Sequence, residues 1–217
     1  MTEFTSAMDT SRKTRIIIFA KAPIPGFCKT RLIGALGAEG AAELAAEMLR
    51  RTVAIAKESQ IGPVELSVAP DLDHVIWQTI NLDGDILWTR QPEGDLGSRM
   101  ATAIRRSLSE GQSVLCIGTD CIDLEASHLR DAAISLTQHT TVITPALDGG
   151  YVLLGLNRFD DSIFEGIAWS TSSVCVDTIS RIRRLGWSVA EMKALRDIDD
   201  EEDLAFLPET FRKKSLL

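Results

Sequence analysis

Four short stretches carry the residues able to do chemistry. The first, KAPIPGFCKTRL at 21–32, sets Lys21, Lys29 and Arg31 around Gly26, with Pro23 and Pro25 stiffening the chain. Cations beside a glycine that permits close backbone approach suit a phosphate group. The stretch is not a Walker A loop, because that motif has glycine immediately before its lysine and Cys28 stands there. A solvated basic turn explains the same residues, and the stretch alone leaves both readings open. GTDCIDL at 118–124 places Asp120 directly after an apolar run, with Asp123 three residues on. A carboxylate there suits Mg²⁺ or Mn²⁺, which prefer oxygen ligands, whereas Asp123 reads as the cap of a helix starting near Glu125. DGGY at 148–151 is either a tight turn or a loop whose Gly149 and Gly150 let backbone approach a sugar or nucleotide. In RDIDDEEDL, at 196–204, capping a short helix accounts for one of Asp197, Asp199 and Asp200 but not for all three.

The elements that must hold these stretches alternate between strand and helix. RIIIFA, PVELSVAP, DILWTR, SVLCIGTD, TTVITPA and GYVLLGL read as six strands, and WSVAEM as a short seventh. Helical spacing relates Leu44, Met48, Leu49, Thr52, Ile55 and Ala56 between about 38 and 58, then Met100, Ile104 and Leu108 from Leu96. Leu129, Ala132, Ala133 and Leu136 mark another helix, 172–185 a further one capped by Ser172 or Ser173, and 72–80 a short one. DDEEDLAFL reads as a last, acid-capped helical turn. Strands that are apolar throughout are buried on both faces, so the pattern predicts an α/β domain with a mostly parallel sheet covered on both sides. The link LDGG is too short for a crossover, which turns the sixth strand antiparallel or bends it away. Ligands in such sheets bind at the carboxyl ends of the strands. That rule singles out the 21–32, 91–99, 118–124 and 147–151 loops.

Charge and composition narrow the function classes. A net charge of -8 argues against nucleic acid or an anionic membrane as partner, and makes a local basic cluster more informative. No apolar stretch reaches the ~20 residues of a membrane helix, and no signal peptide is evident, so a cytoplasmic location is expected. Cys28, Cys116, Cys121 and Cys175 lack zinc-site spacing and read as free, mostly buried thiols. His74, His128 and His139 read as surface or packing residues. The tryptophans read as core or lid residues, with Trp169, in WSTSSV, the exception as a candidate stacking residue. Residues 1–13 read as a disordered leader and 14–217 as one domain.

The stretches FAKAPIPGFCKTRL, GDLGSRM, GTDCIDL, LDGGYVLLGL, WSTSSV and DIDDEEDL occur in that order over nearly the whole chain. Together they resemble the bacterial nucleotide-diphospho-sugar transferases of the GT-A type, an arsenosugar-biosynthesis-type family also labelled a domain of unknown function. That family is related to phospholactate guanylyltransferases and molybdopterin nucleotidyltransferases. The resemblance implies a Rossmann-like three-layer α/β/α sandwich and a divalent metal. It places Lys29 and Arg31 on the phosphates and Asp120 and Asp199 on the metal, while the loop's own chemistry adds Gly26 and Lys21 to the phosphate side. Two departures stand out: Ile122 replaces a proline of the family pattern, and Asp200 replaces a threonine.

Three functions follow as expectations. One is a metal-dependent glycosyltransferase with a nucleotide-sugar donor, a small-molecule acceptor and Asp148 as the base that activates the acceptor hydroxyl. The second is a nucleotidyltransferase that joins the monophosphate of a nucleoside triphosphate to a phosphorylated small molecule. The third is a nucleotide-binding module without turnover.

Overall fold

The computed structural model describes residues 13–82, 84–209 and 211. Residues 1–12, and with them nearly all of the expected leader, lie outside that range. Seven strands form one sheet: β1 (Thr14–Lys21), β2 (Val64–Ala69), β3 (Leu87–Arg90), β4 (Ser113–Ile117), β5 (Thr141–Pro145), β6 (Tyr151–Leu156) and β7 (Val189–Glu191). Their order is β3-β2-β1-β4-β6-β5-β7. β6 alone runs antiparallel to its neighbours β4 and β5, as the short link before it requires; the other pairings are parallel. Ile16, Ile17 and Ile18 of β1 are fully buried, so the strand is covered on both faces.

Alternation along the strands divides the core between two faces. Ile16, Ile18, Leu66, Val68, Leu115 and Ile117 pack on one side against α1 (Ile33–Ser59) and α4 (Ala126–Ser135). Ile17, Val114, Cys116 and Leu154 face α3 (Leu96–Ser109) and α5 (Val174–Arg184) on the other. The result is the three-layer α/β/α arrangement. α2 is a single turn, Ile76–Thr79, shorter than the sequence suggests. α1 is interrupted at Gly37, whose φ of 72° and ψ of 170° are not helical, and the regular helix follows that break. Ser173 occupies the N-cap of α5 without a capping hydrogen bond; its Oγ donates to Asp177 Oδ2 one turn on instead. All four cysteines are buried and free. Among the described residues no helix is long and apolar enough to cross a membrane.

A third, smaller core lies beneath the loops. Leu32, Leu44 and Met48 from the first loop and α1 pack against Ile122, Ile198 and Leu207. Each of Leu32, Ile122 and Ile198 stands within three residues of a charged site candidate. Burying these apolar neighbours fixes the loops without any covalent tie, at roughly 1.5–3 kcal/mol per fully buried side chain. Ile122, where the family pattern has proline, earns its place here through packing.

Candidate active site

Lys29 sits where the first loop enters α1, on a left-handed backbone with φ 45° and ψ 43°. Its side chain is 7% exposed, and Nζ lies 2.8 Å from Asp120 Oδ1 and 3.0 Å from Asp199 Oδ1. Nζ also donates to the Ile198 carbonyl. Burial alone would lower the lysine's proton affinity, but the two carboxylates outweigh it and hold the pKa above its ordinary value. Lys29 is therefore an ammonium, with its donors spent on the acidic cluster.

The cluster is assembled by the segment 195–199, which runs in extended form beside two loops. Leu195 bridges Ala146 and Asp197 bridges Cys121. The Ile198 amide donates to the Asp120 carbonyl at 3.0 Å. Asp197 and Asp199 flank the fully buried Ile198, so side-chain alternation sends both toward the same face. There they meet Asp148, and carboxylate oxygens of Asp148, Asp197 and Asp199 lie within 4.8 Å of one another. Burial first, and then the charges of Asp148 and Asp199, push the Asp197 carboxyl up to about 6. Asp148 is fixed by an Asx turn in which its Oδ1 accepts from the Gly150 amide at 2.8 Å.

Several predicted residues stand elsewhere. Lys21, at the end of β1, lines a cavity of about 570 Å³ at the carboxyl ends of β1, β2 and β3, with Ile24, Phe27, Arg90, Glu93 and Arg99. Arg31 is 62% exposed and lies 3.7 Å from Asp200. Gly26 has a φ of 83° and open space around it, so it serves the turn of the first loop. Gly149 has a φ of 94°, and a Cβ there would lie 2.1 Å from the Ser172 carbonyl oxygen; its backbone is packed against the 172 segment rather than offered to a ligand. Asp123 does not cap α4: its Oδ2 accepts from the Arg196 amide at 3.2 Å and so holds the start of the Asp197 segment. Glu125 caps α4 in a box with His128. Trp169 packs on α3, where a Cβ on Gly97 would meet its ring at 2.5 Å.

Two features went unassigned from sequence. Asp197 was visible only as one of three aspartates, and the alternation Asp-Ile-Asp was the signal that sets it beside Asp199 on one face. Arg90 and Arg99 lie in or beside a loop flagged by the strand-end rule, but nothing in their spacing tells of a shared cavity.

The structure is similar to one from Desulfovibrio desulfuricans G20 provisionally described as a nucleotide-diphospho-sugar transferase, with a TM-score of 0.84 and 28% identity over 94% of this chain and 90% of that one. It is similar in fold to 4-diphosphocytidyl-2C-methyl-D-erythritol synthase from Anaerococcus prevotii DSM 20548, at a TM-score of 0.61 and 14% identity over 93% and 99% of the chains. Rv0371c from Mycobacterium tuberculosis H37Rv, in complex with manganese, shares the fold at a TM-score of 0.51 and 15% identity over 91% and 99%. No curated protein matches the chain. The fold is thus that of nucleotide-diphospho-sugar transferases and nucleotidyltransferases. The family model described as an uncharacterized protein conserved in bacteria, DUF2064, matches residues 52–171, more than half of the chain, and the protein belongs to that family.

Proposed function

We propose that the protein is a divalent-metal-dependent glycosyltransferase that uses a nucleotide-diphospho-sugar donor and a small-molecule acceptor. The observation that carries this reading is that Lys29 and Asp120, on the loops beyond β1 and β4 where α/β sheets bind ligands, meet Asp199, which in turn stands beside Asp148 and Asp197. The description of the Desulfovibrio structure supports the substrate class, and the manganese of Rv0371c supports the metal.

The donor set fits a hard cation. Asp148, Asp197 and Asp199 offer only oxygen, they crowd like charges together, and the raised Asp197 carboxyl marks a strain that positive charge relieves. These three residues would hold Mg²⁺ or Mn²⁺, which when bound supplies charge neutralisation for a departing diphosphate. In this proposal Asp148 is a ligand rather than the acceptor's base, since it belongs to the acidic triad. Lys29 is a positioning residue that keeps Asp120 and Asp199 together against their mutual repulsion. Arg31, exposed at the rim, keeps donors for the diphosphate, while Lys21, Arg90 and Arg99 receive the nucleotide in the neighbouring cavity.

Nucleotidyl transfer from a nucleoside triphosphate is the second reading, supported by the activity named for the Anaerococcus protein. One screen separates the two: thermal shift with nucleotide sugars, nucleoside diphosphates and triphosphates, with and without Mn²⁺, followed by product analysis. A ligand at a hundred times its dissociation constant stabilises the fold by about 2.7 kcal/mol. Mn²⁺-dependent binding of a nucleotide sugar, with slow release of sugar, is the expected result. Tight triphosphate binding, with pyrophosphate released once a phosphorylated acceptor is added, establishes the second reading instead. Absence of any nucleotide binding overturns both.

A further inference from the structure

The cavity at the ends of β1, β2 and β3 has a defined chemical polarity. Its walls are apolar where Ile24, Phe27 and Pro70 contribute, which suits the faces of a planar ring. Its polar edge is built around Gln91, which is buried and has no free donor: Nε2 donates to the Ser67 carbonyl at 2.8 Å and the Ala20 carbonyl at 3.2 Å. These two carbonyls fix which end of the amide is nitrogen, so Oε1 can only accept. It accepts from Arg99 Nη1 at 3.2 Å, and Arg99 Nε donates to the Gly94 carbonyl at 2.8 Å. Two backbone-anchored contacts thus hold the guanidinium in one orientation; among the described residues no hydrogen bond engages Nη2, and its protons with the second proton of Nη1 form the fork left for a ligand. On the same rim Glu93 is an exposed carboxylate with no ion-pair partner among the described residues.

A donor fork beside an acceptor carboxylate discriminates among the bases. Guanine presents O6 and N7 as adjacent acceptors, which arginine reads in bidentate fashion. Its neighbouring N1–H and N2–H₂ are donors, and a carboxylate accepts from both. Adenine sets an amino donor beside N7 and so turns a donor toward one prong of Arg99, whereas cytosine offers O2 and N3 to the fork and N4–H₂ to the carboxylate, one donor fewer than guanine gives. Uracil offers one carbonyl and one N–H and satisfies half the pattern. Leaving fixed polar groups unpaired is what makes such sites selective.

We propose that this cavity is a guanine pocket, in which Arg99, oriented by Gln91, takes the O6/N7 edge and Glu93 takes the N1/N2 edge, so that the donor substrate is a guanosine diphosphate derivative. The inference rests on the nucleotide reading above and deepens it. The test measures dissociation constants for GDP, IDP, UDP, ADP and CDP in the presence of Mn²⁺, on the wild type and on Glu93→Gln and Arg99→Lys. GDP binds about tenfold or more tighter than ADP, the scale of one good bidentate base contact, and tighter than CDP by the one donor to Glu93 that cytosine lacks. IDP, which lacks the N2 amine, binds more weakly than GDP, and Glu93→Gln narrows that difference. Arg99→Lys keeps the charge but loses the fork, so GDP and CDP weaken while ADP changes little. Equal or tighter binding of ADP, CDP or UDP overturns the guanine pocket and leaves the nucleotide reading standing. Failure of all five to bind overturns both.

Discussion

Lys29 is the residue on which the acidic loops depend. Without its ammonium, Asp120 and Asp199 face each other and Asp197 with no compensating charge. Lys29→Met should therefore destabilise the metal-free protein. Its carboxylate partners are 46% and 37% exposed, so solvent screens much of the repulsion and the expected loss is about 1–2 kcal/mol rather than the 3–5 of a fully buried pair. Urea unfolding in EDTA measures it. Adding Mn²⁺ should narrow the gap, because a dication supplies the charge that the lysine no longer does. An unchanged unfolding midpoint in EDTA would show that the ammonium does not organise the cluster.

At the scale of elements, the site depends on how segments are pressed together. The Gly149 backbone lies against Ser172, and the Cys175 amide donates to the Gly149 carbonyl at 2.9 Å, which ties the Asp148 turn to the start of α5. Gly149→Ala combines a positive φ with a contact no real Cβ makes, and should cost well over about 1 kcal/mol. Gly150→Ala meets only the movable Asp148 carboxylate at 3.2 Å and should cost less; comparing the two in urea checks the assignment. α3 carries a pH-dependent cap. Hydrogen bonds from the Ser98 side chain, and then from its backbone amide at 2.8 Å, hold the Asp95 carboxyl below its ordinary pKa. A depressed acid contributes stability above its unfolded pKa and loses it as the pH falls through the folded one. Asp95→Ala should thus lower the thermal midpoint at neutral pH, and its deficit should shrink as the pH is taken below about 4. A deficit that stays constant down to pH 2 would remove the carboxylate from the explanation.

Across the whole molecule, stability and site occupy opposite ends of the sheet. Glu65, fully buried near the start of β2, accepts from Arg15 Nη1 at 3.2 Å, from Thr89 Oγ1 at 2.7 Å and from Arg106 Nη2. The acidic cluster and the base cavity lie beyond the other ends of the strands. Glu65→Gln removes the buried carboxylate from Arg15, whose side chain is 10% exposed, and leaves it the partly exposed Glu110 at 2.6 Å; the expected loss is about 1.5–3 kcal/mol. Nucleotide affinity, measured by titration below the unfolding transition, should not change. A parallel loss of affinity would mean that the two ends are coupled through the sheet.

The sequence by itself determined the layers. Apolar runs such as Ile16–Ala20 and helical stripes such as Met100–Ile104–Leu108 specify a covered, mostly parallel sheet, because burial acts locally, and the short link before β6 excludes a crossover there but leaves the strand reversed or bent away. It also marked Lys29, Asp120, Asp148 and Asp199 as candidates, while leaving an ordinary basic turn open for Lys29 and a tight turn open for Asp148. Tertiary structure alone decided their partners. Lys29 and Asp199 are 170 residues apart, and their meeting depends on Leu32, Ile122 and Ile198 closing a small core that no local pattern announces. The same holds for Asp197 joining Asp148, for the Gly149 backbone packing against Ser172, and for Lys21 lining the cavity at the ends of β1, β2 and β3. Local chemistry names the groups able to bind a metal or a phosphate. Which of them share a charge is settled by long-range packing, since electrostatic partners are chosen by distance in space and not along the chain.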